Sequence, residues 1–196
     1  MEKITRLAVM ASGNGTNFAA LLKYIQSQKL PAQIVRLVVD HDDVKVIQIA
    51  KQENVPIFII NYKDYPNRKD AEAKILQQLA ADQVDGILLA GYMRILTPQF
   101  VQAYPQKIIN IHPALLPSFP GRQGIDDAYN YGVKVTGVTI HFVNDGVDSG
   151  KIIAQEPVRI EADDSLDSLE AKIHAVEHQL YPKTLQKLIT EGVFKS

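Results

Sequence analysis

Short apolar runs alternate with segments of helical periodicity along the first half of the chain. The apolar runs, which are the strand candidates, occupy residues 7–11, 34–39, 56–60, 86–90 and 108–111. Between them, apolar side chains recur at helical spacing over residues 17–26, 45–53 and 70–81. Because the strand candidates are apolar on both faces, this order predicts a parallel sheet covered by helices on both faces.

The second half of the chain follows a different pattern. Residues 134–142 and 151–160 resemble two strands joined by the polar loop 144–150, which predicts an antiparallel addition to the sheet. Residues 168–190 are amphipathic and predict a long final helix. The expected fold is therefore α/β: a single domain over residues 1–196 with a Rossmann-like, mostly parallel twisted sheet and an antiparallel C-terminal addition.

Composition narrows the function classes. The 196 residues carry a net charge of −1, so the chain lacks the positive field expected of a nucleic-acid-binding protein. Cysteine is absent, which excludes disulfides, thiolate metal sites and a cysteine nucleophile. No apolar run approaches the ~20 residues of a membrane span, and the first run is too short for a signal-peptide core. We expect a cytoplasmic protein.

The loop after the first strand candidate is rich in glycine. It contains Gly13 and Gly15 and leads into the first helix, whose free N–H groups suit a phosphate. Phe18 occupies the position of the third glycine of a dinucleotide fingerprint, and no lysine completes a Walker motif. A phosphate monoester is therefore the favoured ligand. The alternative is an ordinary strand-to-helix turn with Thr16 as N-cap.

Asn110 and His112 lie at the end of the fifth strand candidate. Strand side chains alternate, so this amide and this imidazole face the same side and could stabilise an oxyanion and move a proton. A buried, hydrogen-bonded core histidine is the alternative. The loop 144–150 offers Asp145 and Asp148 as carboxylate partners, although both residues are also common turn formers.

A zinc peptidase is a more remote alternative function. His174, Glu177 and His178 fit the H-x-x-E-H pattern, in which two histidines one helical turn apart bind the metal. Glu191 is the one acidic residue after His178, so a third ligand from a long downstream segment is not available. We therefore expect no metal.

Four segments carry a family resemblance when they are taken in order. They are residues 12–17, 90–96, 110–117 and 148–150. Together they resemble the folate-dependent formyltransferases, in the branch that formylates glycinamide ribonucleotide during purine synthesis. The resemblance extends from about residue 7 to residue 182. Departures occur at residues 121–124, where several relatives carry histidines, and at His174, where some carry glutamine.

The resemblance implies a role for each matching residue. It makes Asn110, His112 and Asp148 the catalytic trio, with the Asp148 charge raising the pKa of His112 above its usual ~6.5. It implies that the ribonucleotide contacts Gly15, Thr16, Asn17 and Glu177. It implies that 10-formyltetrahydrofolate contacts Arg68, Met93, Arg94, Ile95, Leu96 and Asn110. It also implies a cis bond between Leu116 and Pro117.

The implied reaction is the transfer of a formyl group from 10-formyltetrahydrofolate to the amine of N1-(5-phospho-D-ribosyl)glycinamide. The expected partners are these small molecules, without nucleic acid or membrane, and the protein is expected to be a monomer or homodimer. A formyltetrahydrofolate hydrolase and a non-catalytic nucleotide-binding module are the main alternatives. A methionyl-tRNA formyltransferase would need a further C-terminal domain for tRNA.

Overall fold

A seven-stranded sheet forms the centre of the computed structural model, which describes residues 3–195. The strands are β1 (Thr5–Ala11), β2 (Ala32–Val39), β3 (Ile57–Ile59), β4 (Gly86–Leu89), β5 (Ile108–His112), β6 (Val135–Phe142) and β7 (Ile152–Arg159). Their order in the sheet is β3-β2-β1-β4-β5-β6-β7. The first five strands are parallel, whereas β6 runs antiparallel to β5 and β7 antiparallel to β6. The predicted fold class is confirmed.

Helices cover both faces of this sheet. They are α1 (Thr16–Ser27), α2 (Val46–Gln52), α3 (Arg68–Ala81), α4 (Pro98–Ala103), α5 (Gly124–Tyr131) and α6 (Leu166–Thr190). One apolar layer joins the sheet to α1, α2, α5 and α6, and a second joins it to α3 and α4. This two-layer core follows from strands that are apolar on both faces. No helix within residues 3–195 is long and apolar enough to cross a membrane.

The structure contains short elements that periodicity did not predict. These are α4, α5 and a 3-10 helix over Tyr62–Asp64. The helix α4 and the 3-10 helix span six and three residues, too few for a helical period to emerge, and α5 buries only two apolar side chains, Ile125 and Ala128. The third strand is also shorter than the predicted 56–60, because it lies at the edge of the sheet and Ile59 is exposed.

The site is positioned by a reversal of strand order. From β1 the chain moves to β2 on one side, and β4 then pairs with β1 on the other side. In open α/β sheets, the loops at such a point leave a crevice at the carboxyl ends of the strands. The fully buried Tyr181 of α6 places its hydroxyl 3.0 Å from the carbonyl oxygens of both Leu89 and Ile109. This contact fixes α6 against the same edge.

Candidate active site

A cavity of about 490 Å³ lies at the carboxyl ends of the strands. It is lined by the loops after β1, β4 and β5, by the loop between β6 and β7, and by α6. Among the predicted contact and catalytic residues and His174, those lining it are Gly15, Thr16, Asn17, Met93, Arg94, Ile95, Leu96, Asn110, His112, Asp148, His174 and Glu177. Arg68 does not line the cavity. The structure therefore brings eleven of the twelve predicted contact and catalytic residues to one cavity, together with His174.

One end of the cavity is the N-terminus of α1. Gly15, not Thr16, is the N-cap, so the proposed capping role of Thr16 is wrong. Gly15 adopts a left-handed φ of 78°, and a Cβ there would lie 2.5 Å from Cγ2 of Val46. Because no side chain caps the helix, its first N–H groups lack a side-chain acceptor. Such a terminus favours an anion.

A buried carboxylate lies beside this helix terminus. The side-chain nitrogen of Asn17 donates a hydrogen bond to Oε2 of Glu177 at 2.9 Å, and Glu177 is 5% exposed. Burial raises the pKa of Glu177, while the bond from Asn17 and the charge of His174 oppose the rise. The side-chain oxygen of Asn17 is also buried and has no protein partner among the described residues. These groups form a polar surface suited to hydroxyl groups.

The H-x-x-E-H pattern does not form a metal centre in this arrangement. The rings of His174 and His178 stack with centroids 6.4 Å apart, while Glu177 bonds to Asn17. Within residues 3–195, no group of three or more His, Asp and Glu side chains is placed to hold a metal ion.

Asn110 and His112 face the centre of the cavity from β5. His112 is 2% exposed, and its Nε2 donates a hydrogen bond to the carbonyl oxygen of Phe119 at 2.8 Å. This assignment leaves the lone pair of the neutral ring on Nδ1, which lies 3.5 Å from Oδ2 of Asp148. The same Oδ2 accepts the N–H of Gly121 at 2.8 Å. A proton gained by His112 would therefore sit between the ring and Asp148.

The predicted direction of the His112 pKa is wrong. Burial lowers the pKa of His112 below its usual 6.5, and this effect outweighs the opposing charge of Asp148 and the bond to Phe119. The nearby His141 lowers it further. Burial favours a raised pKa for Asp148, but the neighbouring His141, the N–H of Gly121 and the nearby His112 outweigh this effect and hold the pKa of Asp148 below its usual value. At neutral pH the resting pair is a neutral ring beside a carboxylate.

His141 was missed by the sequence analysis. It is 2% exposed, lies opposite Asn110 in the β5–β6 pairing, and its Nε2 is 3.6 Å from Oδ1 of Asp148. Its Nδ1 donates to the carbonyl oxygen of Phe142 at 2.9 Å, so Nε2 accepts from the Asn110 amide at 3.1 Å. His141 is the one ionisable residue of β6, the strand that leads into the Asp148 loop, and this was the available signal.

The other end of the cavity is formed by residues 92–97, here called the 92–97 segment. Met93 and Ile95 are 48% and 53% exposed, which is unusual for large apolar side chains. The N–H of Met93 donates to the Ser12 hydroxyl at 3.0 Å, and Arg122 donates to the carbonyl oxygen of Met93 at 2.7 Å. Arg68 donates to the carbonyl oxygen of Ile95 at 3.1 Å. Arg68 thus supports the cavity wall from outside.

The loop that follows β5 also contains the expected cis peptide bond between Leu116 and Pro117. From there the chain passes Phe119, Gly121 and Arg122, whose contacts reach His112, Asp148 and Met93 respectively. One short segment therefore touches both the centre of the cavity and its apolar end.

Comparison with known proteins identifies the family. The family model described as formyl transferase matches residues 5–185, and the chain belongs to this family. It is 42% identical over 184 residues to the phosphoribosylglycinamide formyltransferase of Bacillus subtilis (strain 168), covering 94% of each chain.

Solved structures agree with this family. The crystal structure of phosphoribosylglycinamide formyltransferase from Bacillus halodurans matches with a TM-score of 0.95 and 44% identity, over 98% of this chain and 100% of that one. Glycinamide ribonucleotide transformylase 1 from Geobacillus kaustophilus matches with a TM-score of 0.92 and 49% identity, over 94% and 98%.

Proposed function

We propose that this chain transfers the formyl group of 10-formyltetrahydrofolate to the amine of N1-(5-phospho-D-ribosyl)glycinamide. The observation that carries the proposal is a single cavity with three chemically distinct parts. An uncapped helix terminus lies at one end, an amide–imidazole–carboxylate group at the centre, and exposed apolar side chains at the other end. Each part suits one portion of the two substrates.

The ribonucleotide binds at the α1 end. Its phosphate meets the free N–H groups that begin at Gly15, Thr16 and Asn17, where the helix dipole favours negative charge. Glu177 accepts hydrogen bonds from the ribose hydroxyl groups beside Asn17. The glycinamide amine then points towards the centre of the cavity.

The formyl donor binds at the 92–97 segment. Met93 and Ile95 offer apolar surface that a flat heterocycle would bury, and Arg94 and Leu96 line the same part of the cavity. Arg68 shapes this wall through Ile95. The formyl group attached to N10 of the folate then reaches Asn110.

The central residues assist direct attack of the amine on the formyl carbon. Attack forms a tetrahedral intermediate whose oxygen carries negative charge, and the Asn110 amide donates a hydrogen bond to it. The amine loses a proton, and His112 gains one on Nδ1 beside Asp148. The resulting imidazolium stabilises the oxyanion and returns the proton to N10 as the C–N bond to the folate breaks.

This reaction is tested by its dependence on the amine. Purified protein is mixed with 10-formyltetrahydrofolate, with and without the ribonucleotide, and tetrahydrofolate release is followed. We expect release only when the ribonucleotide is present. Equal release without it would identify a hydrolase, and binding of both ligands without release would identify a non-catalytic module.

A further inference from the structure

Asp40 is a buried carboxylate that lies outside the cavity. It directly follows the last residue of β2 and is 4% exposed. An unpaired charge in such a place would be costly. Asp40 accepts a hydrogen bond from Nε of Arg94 at 2.7 Å and another from Nδ1 of His41 at 2.9 Å. The bond from Arg94 connects Asp40 directly to the 92–97 segment.

Arg94 is held from two sides. Besides the bond to Asp40, its guanidinium carbon lies 4.9 Å from the centre of the Tyr62 ring, within the range of a cation–π contact. The hydroxyl of Tyr62 is 3.0 Å from that of Tyr92, which also belongs to the segment. The position of the Arg94 side chain is therefore determined by Asp40, directly after β2, and by Tyr62 of the 3-10 helix.

A second connection runs from Asp40 to the segment through Ser12. The Ser12 hydroxyl accepts the N–H of Met93 at 3.0 Å, and Ser12 lies close enough to Asp40 to lower the pKa of this carboxyl. Burial alone would raise the pKa of Asp40, but Arg94, Ser12 and His41 hold it below its usual value. Asp40 is thus ionised, binds Arg94 directly and lies beside the residue that binds Met93.

We infer that Asp40 is a positioning residue for the formyl donor, holding the 92–97 segment in its binding conformation through Arg94 and Ser12. The inference rests on the proposed function, because it assigns this segment to the folate. Asp40 touches no part of the cavity, so its effect reaches the ligand only through the wall it supports. A ligand-binding wall made of loop residues needs this kind of support to keep its geometry.

Asp82 offers a matched control. It pairs with Arg36 through two hydrogen bonds of 2.6 and 2.7 Å, and both side chains are 16% exposed. Asp82 follows α3 and neither partner lines the cavity. Removing either carboxylate breaks an arginine pair anchored on β2, but only one of the two pairs supports the 92–97 segment.

The experiment compares Asp40→Asn with Asp82→Asn by steady-state kinetics and by calorimetric binding of tetrahydrofolate. In Asp40→Asn, we expect the KM for the formyl donor and the Kd for tetrahydrofolate to rise about tenfold, as for loss of a charged hydrogen bond. The ribonucleotide KM and kcat should stay within twofold. Asp82→Asn should lower Tm and leave both KM values within twofold. A folate effect below twofold in Asp40→Asn, or an equal rise in both KM values, would overturn the inference.

Arg94→Gln tests the route and replaces Asp40→Asn if that variant does not fold. In Arg94→Gln, His41 still bonds the buried Asp40, so the variant should fold, with a lowered Tm, and reproduce the rise in the tetrahydrofolate Kd. Adding Asp40→Asn should then change the Kd by less than twofold further. A full additional tenfold effect, or an unchanged Kd in Arg94→Gln, would refute coupling through Arg94. Failure of the proposed function would appear separately, as wild-type protein that binds tetrahydrofolate but releases none from the formyl donor.

Discussion

The two ends of the cavity are built from different chemical groups. At the α1 end, the binding groups are backbone N–H groups positioned by Gly15, with the buried pair of Asn17 and Glu177 beside them. At the opposite end, the 92–97 segment presents exposed apolar side chains and is held by hydrogen bonds from other elements. An anion can be bound by a helix terminus alone, whereas a large apolar ligand needs a shaped wall.

This difference predicts that substitutions at the two ends affect different substrates, while those at the centre affect turnover. The largest effect is expected at the centre, where Asp148→Asn should lower kcat at least about 10²-fold and move both KM values only a few-fold. Removing the charge takes away the contribution that raises the pKa of His112, so this pKa falls further below 6.5. Where kcat rises with falling pH because the His112 imidazolium forms, that rise should occur at a lower pH in the variant.

His112→Asn is the companion to that variant. It should lose a similar factor in kcat, and the double variant should lose little more, because residues that act as a unit are non-additive. Near-normal kcat in Asp148→Asn would make Asp148 a turn residue only and would remove the proposed distinction between centre and ends.

Gly15→Ala tests whether the α1 end depends on its backbone. The substitution places a methyl group against Val46 in a left-handed conformation, so we expect a loss of about 3 kcal/mol in the free energy of unfolding. Gly132→Ala is the control, since Gly132 has a similar φ of 82° but open space around its Cβ position. It should lose only the backbone strain of about 1–2 kcal/mol in urea unfolding. Equal losses would show that packing against Val46 is unimportant.

Asn17→Ala should weaken ribonucleotide binding selectively. It removes the hydrogen bond to the buried Glu177, and we expect the ribonucleotide KM to rise about tenfold, which corresponds to the usual cost of an unpaired buried group. The KM for the formyl donor serves as the internal control and should change less than twofold. A change confined to the formyl donor would reverse the assignment of the two ends.

Ile95→Ser should affect the formyl donor alone and to a smaller extent. The side chain is 53% exposed, so its loss should leave the urea midpoint unchanged but raise the donor KM about fivefold through lost apolar contact. Ile4→Ser is the matched control, because Ile4 is 55% exposed and does not line the cavity. If the two variants behave alike in kinetics, the apolar end does not bind the donor.

Dialysis against a strong chelator should have no effect on turnover. The proposed steps use Asn110, His112 and Asp148 as hydrogen-bonding and proton-transfer groups, without a metal ion. Activity is measured before and after dialysis, with added zinc as the control. Loss of activity that zinc restores would instead support a metal site at His174 and His178.

Much of the fold could be predicted because its signals are local. The five parallel strands are largely apolar runs, and the alternation of strand side chains is enough to place Asn110 and His112 on one side of β5. The helices α4 and α5 and the 3-10 helix could not be predicted in this way, because they contain too few apolar positions to show a period. That residues 1–196 form a single domain stays a prediction.

Only part of the candidate site could be predicted from the sequence. The family resemblance supplied the trio and the residues at each end, and eleven of these twelve residues lie around one cavity. His141, Asp40 and Arg122 were not among them. Their contacts join strands and loops that are distant in sequence. Asp40 and Arg94, for example, are 54 positions apart, and no local sequence pattern indicates that they pair.

The amino-acid sequence by itself determined the order of the strands and of helices α1, α2, α3 and α6, the chemistry of the groups at the strand ends and the family. Only the tertiary structure decided the charge of His112 at rest. Sequence spacing pairs His112 with Asp148 and suggests a raised pKa, but the pKa also depends on how much water reaches the ring. Packing of the loop around Phe119 and of β6 leaves His112 2% exposed, and the cost of charging a buried ring exceeds the attraction of the carboxylate.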